Sequence, residues 1–452
     1  MRILCPIVLL LLLVPLIASA EEGETPQQAA EEPPVFEETL LLPPLPEAIP
    51  PGPPSPPTPQ DRLPSLTLDD LERIAMACNP TLVQAGMMIR AAQGTYVQAG
   101  LYPNPVMGYL NDDTGIEGTR GMQGMFVAQE IIIRGKRRLG RAVASHEVQQ
   151  ARAVYEAQLL RVLNGVRAGY YETLVAQKTI EINQQLVHIA TESVGITEKL
   201  RAAKEVSQAD VLQARIEAER ETLNLVVSRN HYQGAWRRLA AVLGRPGAPP
   251  SPLAGNVEDN LATFTWEESR DRLLSESPEL AQAYAALERA KCDLALQRAE
   301  RIENPAIGGA VKYDHATGGT VADVAIEIPL PLFNRNQGNV ATAQANLVSA
   351  QREVRRVELD LSDRLATAFE GYANARRQVD AYLNTIVPNA KASLELNRRG
   401  YEEGEFGYLE LLTAQRTYFS ANLDYLSSLG ELWATSVELE GLLLSGGLER
   451  PE

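Results

Sequence analysis

The sequence predicts a mainly α-helical chain with a small membrane β-barrel portion: long antiparallel helical hairpins, with four β-strands per chain. Three observations predict it. The chain is written twice, because residues 200–217 (LRAAKEVSQADVLQARIE) and 400–417 (GYEEGEFGYLELLTAQRT) align Glu205 with Glu405, Leu212 with Leu412 and Ala214 with Ala414, 200 positions apart. Long stretches between the repeated landmarks keep an apolar step of three, four or seven. Short stretches inside each repeat alternate with a period of two.

In order along the chain, residues 1–20 read as an export signal. Arg2 supplies the positive end, residues 7–17 are apolar apart from Pro15, and Ala18-Ser19-Ala20 has the small-x-small form that predicts cleavage after Ala20. The apolar run is too short for a permanent anchor, which needs ~20 residues. Cys5 lies inside this signal, too early to be a lipid-modified cysteine. Cys78 and Cys292 could pair in an oxidising compartment, but their spacing does not bring them together, and two helix-buried thiols are the plainer reading. A net charge of −16 argues against a nucleic-acid partner, which needs basic patches. No later apolar run is long enough for a membrane helix, so any passage through a bilayer must be made by β-strands.

Residues 21–64 are acidic and then rich in proline. They cannot bury a core and are expected to form a disordered arm, a tether or spacer, with a proline-rich ligand for a recognition domain as the alternative.

The first repeat spans residues 65–243. A Thr start, early acids and apolar Leu68, Leu71, Ile74 and Ala75 predict a helix broken at Asn79-Pro80, with a second run reaching Gly100. The stretch 264–280 repeats this grammar, and Asn104-Pro105 reappears as Asn304-Pro305. After each Asn-Pro the period changes to two. Ile307, Gly309, Val311 and Tyr313 alternate with polar or small residues, and Val324, Ile326 and Ile328 alternate with Asp323, Ala325 and Glu327. Hairpins are therefore expected at about 105–133, with the second strand over 122–133, and at about 305–329. Four strands cannot close a barrel; three copies would supply twelve, an even number suited to a closed membrane barrel.

From residue 136 to about 200 there is no proline, and Tyr155, Leu159, Val162, Val166, Tyr170 and Leu174 step helically. In the second copy Val340, Leu347, Val354, Leu361 and Ala368 step by seven. Two helices of some 65 residues, each ~100 Å long, are expected, with shorter return helices over 207–243 and 408–444. Residues 244–263 read as a connector, 264–445 as the second repeat and 446–452 as a tail.

The repeat, LYPNP and IENPAI before the hairpins, GKRR after the first, EIPLPLFNRNQG after the second and the YEEGEFGYLELLTAQRT tip together resemble a TolC-like outer-membrane factor over residues 66–445. EIPLPLFNRNQG is most similar to the heavy-metal efflux branch. The resemblance implies a homotrimer with a twelve-stranded barrel in outer-membrane lipid and a twelve-helix periplasmic tunnel forming a trimeric α-barrel. Its tips would meet a periplasmic adaptor (membrane fusion) protein joined to an inner-membrane efflux pump of the proton-driven RND type, with heavy-metal cations as cargo. Drug or organic-solute efflux and protein secretion are alternatives within the class, and a periplasmic coiled-coil structural or adaptor protein is one outside it.

No catalytic constellation is present. His146, His188, His231 and His315 are scattered, HExxH and CxxC are missing, and the glycine pairs lie in hairpin loops rather than phosphate-binding turns. No enzyme activity, cofactor or protein metal site is expected. Met87-Met88 and Met122 with Met125 suit packing or lipid contact better than soft-metal binding.

What the resemblance implies for residues concerns the ends. Family members close the periplasmic aperture by bonds from an Asp in the first tip to a Tyr and an Arg in the second. The matching positions are Asp210 and Tyr401, while the arginine place holds Phe406. Glu410 matches one residue of an acidic constriction ring, whose second place is Thr413. The plainer reading makes Asp210 and Glu410 first-turn helix acids. Adaptor contact is expected on Val206 and Ser207 in the first turn and on Gly404, Glu405 and Phe406 in the second. Gly404 suits a positive-φ turn; Lys204 holds the matching place, where family members usually have Gly, so the two tips need not be equivalent. Alternation assigns Asp323 and Glu327 to the barrel lumen.

Overall fold

The computed structural model describes residues 65–451 apart from 116, 117, 119 and 260; the expected signal and proline-rich arm lie outside them. The elements are α1 (Leu68–Cys78), α2 (Pro80–Ala99), β1 (Val106–Asp112), β2 (Met122–Glu130), α3 (Lys136–Ala202), α4 (Gln208–Val242), α5 (Trp266–Glu276), α6 (Pro278–Ala299), β3 (Ala306–Asp314), β4 (Gly319–Glu327), α7 (Gln337–Ala381), a π turn (Tyr382–Ile386), α8 (Val387–Glu402) and α9 (Tyr408–Glu440). The two halves repeat the same order, as the 200-residue duplication requires. None of the described helices is long and apolar enough to cross a membrane.

Local chemistry sets the boundaries. Thr67 and Asp70 form a capping box at α1. Pro80 and Pro278 sit at the first turns of α2 and α6, where a missing N–H costs no helix bond. Their caps, Asn79 and Ser277, are both buried. Asn79 also donates to the carbonyls of Val242 and Gly447, at 2.9 and 3.3 Å. The tail is therefore packed against the start of the second helix.

The strands form one antiparallel sheet in the order β1-β2-β3-β4. The central register sets Met122 opposite Asp314 and Glu130 opposite Ala306, joining the two halves of the chain. Strand β2 stops at Glu130, not at residue 133. Ile131 N–H goes to the Pro305 carbonyl at 2.8 Å and Ile133 N–H to the Asn304 side chain at 3.3 Å, which ends the ladder. The outer edges of β1 and β4 have no strand partner among the described residues.

The main core gathers Val162, Val166, Tyr170 and Leu174 of α3, Leu361, Leu365 and Tyr372 of α7, and Leu429, Leu432 and Trp433 of α9. Trp433 stacks on Tyr171 with ring centres 3.5 Å apart and donates to the Val257 carbonyl at 2.7 Å. Tyr170 donates to Ala254, Trp236 to Ala248 at 2.9 Å and Tyr372 to Ala262 at 3.1 Å. The connector is thus docked on the helices by its backbone carbonyls. Cys78 and Cys292 are free thiols.

One long helix is as expected and the other is not. α3 runs unbroken for 67 residues. In the second copy the buried seven-step of Val354, Leu361 and Ala368 continues to Ala375, but the helix then passes through the π turn. Pro388 has no N–H and its ring crowds the carbonyl four residues back; Val387 N–H accordingly reaches Tyr382 O, five residues back.

Candidate functional site

Each long helix ends in a turn, and the two turns share one backbone. In the first, Ala203, Lys204 and Glu205 N–H groups reach Lys199, Arg201 and Leu200 carbonyls at 3.1, 3.0 and 2.9 Å. In the second, Glu403, Gly404 and Glu405 reach Arg399, Tyr401 and Gly400 at 3.0, 3.2 and 2.8 Å. Both turns need a left-handed residue, Lys204 at φ 65° and Gly404 at φ 77°. Lys204 adopts the glycine conformation, because the same carbonyls must be satisfied, so the two backbones match.

What differs is the cap. Ser207 begins α4 with a full capping box. The Asp210 carboxylate accepts from the Ser207 N–H at 2.8 Å and hydroxyl at 2.7 Å, and Asp210 N–H donates to Ser207 Oγ at 3.3 Å. Gly407 begins α9 without a side chain to cap it. Glu410 folds back there instead, its Oε2 lying 2.8 Å from where a β-carbon of Gly407 would stand. Asp210 therefore caps its own helix start, and the Glu410 carboxylate lies beside the start of α9.

Tyr401 is buried, and its hydroxyl pairs with Thr197 Oγ1 at 3.2 Å. The expected Asp210 to Tyr401 bond is not made within the chain, since each group already has another partner. Burial pushes the Tyr401 phenol up, with the Asp210 charge adding to the rise. Tyr408, 5.9 Å away ring to ring, is pushed up to about 12, first by burial and then by Glu217. Both rings belong to a second apolar cluster with Leu394, Leu411, Leu412 and Ala214, against which Val206 and Leu200 also pack.

Of the other expected tip residues, Ser207, Gly404, Glu405 and Phe406 are exposed. Phe406 keeps 44% of its surface open although its ring leans on Gly400. A contact that sequence spacing does not show ties the return helices together: Arg416 of α9 forks onto the buried Glu217 of α4 at 3.1 and 2.9 Å. Residues 199 positions apart carry no local signal; only the repeat offset places them level.

At the other end, the pairing register sorts the sheet into two faces. One carries Met107, Tyr109, Met125, Val127, Ile307 and Val311, with Val324 82% exposed at its edge. The opposite face carries Asp323 and Glu327 with Lys312 and Asp112, and Lys312 Nζ lies 2.8 Å from Asp112 and 2.7 Å from Asp323. Phe126, Lys312, Asp323 and Glu327 line a hollow on that side. Lys312 alternates plainly in the sequence, but its role as a bridge across three strands needed the register. Among the described residues no cluster of His, Cys, Asp and Glu could hold a metal ion.

Comparison with known proteins agrees with this geometry. A profile described as Outer membrane efflux protein matches residues 73–245 and 270–443, the two repeats. The chain is 26% identical to the cobalt-zinc-cadmium resistance protein CzcC of Cupriavidus metallidurans, over 85% of this chain and 91% of that protein. It is 22% identical to the alkaline protease secretion protein AprF of Pseudomonas aeruginosa, over 73% and 70% of the two chains. Among solved structures, the outer-membrane channel OprN superposes with a TM-score of 0.69 at 19% identity, covering 84% of this chain and 91% of that one. With duplicated helical hairpins, a sheet of one apolar and one charged face, and both repeats matched, the chain belongs to the outer membrane efflux protein family, whose members are channels and not enzymes.

Proposed function

We propose that three copies of this chain form the outer-membrane duct of a tripartite system that exports heavy-metal cations. The observation that carries the cargo class is the likeness to the cobalt-zinc-cadmium resistance protein, which extends through both repeats. The split sheet supports the duct: a face of Tyr109, Met125, Val311 and Val324 suits lipid, and one bearing Asp323 and Glu327 suits a wet lumen. A duct needs no cofactor; energy comes from the inner-membrane pump, here of the proton-driven RND type, through a periplasmic adaptor. Val206, Ser207, Gly404, Glu405 and Phe406 offer the adaptor its docking points. Asp210, Tyr401 and Glu410 border the periplasmic aperture, with the Tyr401 to Thr197 bond as one that opening would exchange. The mature chain begins after Ala20.

The test is a deletion strain grown on zinc, cobalt, cadmium, copper and silver and complemented with the gene. Metal sensitivity of the deletion strain that the wild-type chain relieves supports the metal reading; unchanged growth on all five removes it. The likeness to a protease secretion protein favours a second reading, protein export, which would show instead as a secreted protein retained in the deletion strain.

A further inference from the structure

The junction between the two halves of the chain is a template for a junction that the chain cannot make alone. Within the chain, strand β2 ends at Glu130 against the loop before β3. Asn304 Nδ2 donates to Glu130 Oε1 at 2.7 Å, Asn304 Oδ1 accepts from Ile133 N–H at 3.3 Å, and the Pro305 carbonyl accepts from Ile131 N–H at 2.8 Å. One asparagine side chain and one proline carbonyl thus terminate the ladder. Every participant has a counterpart at the sheet's two open edges. Residues 128–134 read AQEIIIR and residues 325–331 read AIEIPLP, so that Glu327, Ile328 and Leu330 stand where Glu130, Ile131 and Ile133 stand. Asn104 and Pro105 stand where Asn304 and Pro305 stand.

The prolines respect this scheme. Ile131 and Ile133 use their N–H groups, whereas Ile132 N–H has no partner among the described residues. In the second copy Ile328 and Leu330 keep their N–H groups, and Pro329 falls on the place of Ile132, where none is used. Asn104 has no side-chain hydrogen bond among the described residues, and Ile328 and Leu330 are 69% and 73% exposed. The donors, the acceptor and the apolar side chains are all present on each chain, but at opposite edges of one sheet.

We infer that the junction between copies repeats the junction between halves, residue for residue. Asn104 of one copy clamps the Glu327 strand end of the next, its side-chain oxygen accepting from Leu330 N–H while the Pro105 carbonyl accepts from Ile328 N–H. This rests on the multi-copy duct proposed above. It also fixes the strand register between copies. Glu130 faces Ala306 within the chain, so Glu327 faces Val106 of the neighbouring copy that supplies Asn104, and Asp323 faces its Leu110. That register places Val106 and Leu110 on the same face as Glu327 and Asp323, so the charged and apolar faces run continuously from copy to copy. A shift by one residue would turn charge toward lipid.

The test is disulfide trapping in full-length protein with Cys78 and Cys292 replaced by serine. Directly opposed residues lie ~4.5–5.5 Å apart, within disulfide reach, whereas diagonal pairs are ~7–8 Å apart. Asp323→Cys with Leu110→Cys should therefore give covalent oligomers without reductant, about tenfold more than Val321→Cys with Leu110→Cys. Equal or reversed yields in a protein that still migrates as a detergent-stable oligomer overturn the register and leave the duct reading standing. A wild-type chain that is monomeric in detergent overturns both. Asn104→Ala tests the clamp separately: about tenfold more monomer at a fixed detergent concentration is expected, with an unchanged helical spectrum. Undiminished oligomer in that variant removes the clamp.

Discussion

Phe406 lays its ring against the α-carbon of Gly400, so closely that a β-carbon there would stand 2.2 Å from the ring. At the first tip the same two places hold Leu200 and Val206, both packed on the second apolar cluster. Bulk has moved from one position of the pair to the other. Gly400→Ala should force the ring away and destabilise the second tip by about 1–3 kcal/mol. The exchange Gly400→Leu with Phe406→Val should recover most of that loss. A double-mutant cycle on thermal unfolding checks the coupling; simply additive effects would refute it.

Lys204 holds φ 65° where its counterpart is Gly404. A left-handed side-chain residue costs ~1–2 kcal/mol relative to the right-handed form, a penalty glycine avoids. Lys204→Gly should raise stability by about 1 kcal/mol and slow amide exchange at Glu205. Gly404→Ala should do the reverse at the second tip.

The fork from Arg416 to the buried Glu217 makes a sharper demand. Arg416→Ala leaves that carboxylate with Arg220, at 3.5 Å, as its remaining paired cation, and should cost about 2–4 kcal/mol. Arg416→Gln combined with Glu217→Gln should cost less than Arg416→Ala alone, because no buried charge is stranded. Denaturant midpoints of the two variants and the wild type decide between this and a pair of no consequence.

Glu221, one turn further along α4 and also buried, has its pKa raised above the ordinary 4.5, first by burial, with Glu217 adding to the rise and the Asn224 bond at 3.2 Å opposing it. The protonated form is the one the fold prefers. Its stabilising contribution is fully present below the ordinary value and is lost as pH rises through the raised one. Glu221→Gln should therefore gain stability at neutral pH and flatten that loss. Equal midpoints for variant and wild type across this range would contradict it.

Much of the architecture was legible in the sequence because duplication and period are global signals. Seven-step apolar positions such as Val354 and Leu361 are buried, and the alternation at Asp323 and Val324 separates two faces. The break at Tyr382–Ile386 could have been read from Pro388, which the apolar seam overshadows. The tips were harder. Asp210 fits an aperture bond and a helix cap equally well by position, yet its carboxylate sits on Ser207. Thr197 as partner of Tyr401, and Glu217 as partner of Arg416, lie about 200 residues from their mates and leave no local trace.

The π turn gives the chain two arms of unequal stiffness. α3 is a continuous rod from the sheet end at Lys136 to the first tip. A bend in such a rod must be shared as small distortions of many hydrogen bonds. The second arm carries a joint, where the ladder is already widened at Tyr382–Ile386 and one donor is missing at Pro388. A load applied at Glu405 is expected to be taken up as rotation at that joint, and one applied at Glu205 to spread along the helix. Spin-label pairs spanning residue 384 should show a broader distance distribution than pairs spanning residue 184, and Pro388→Ala should narrow it. The chain pairs a strut with a crank, so an even load on both tips is expected to bend the two arms at different places.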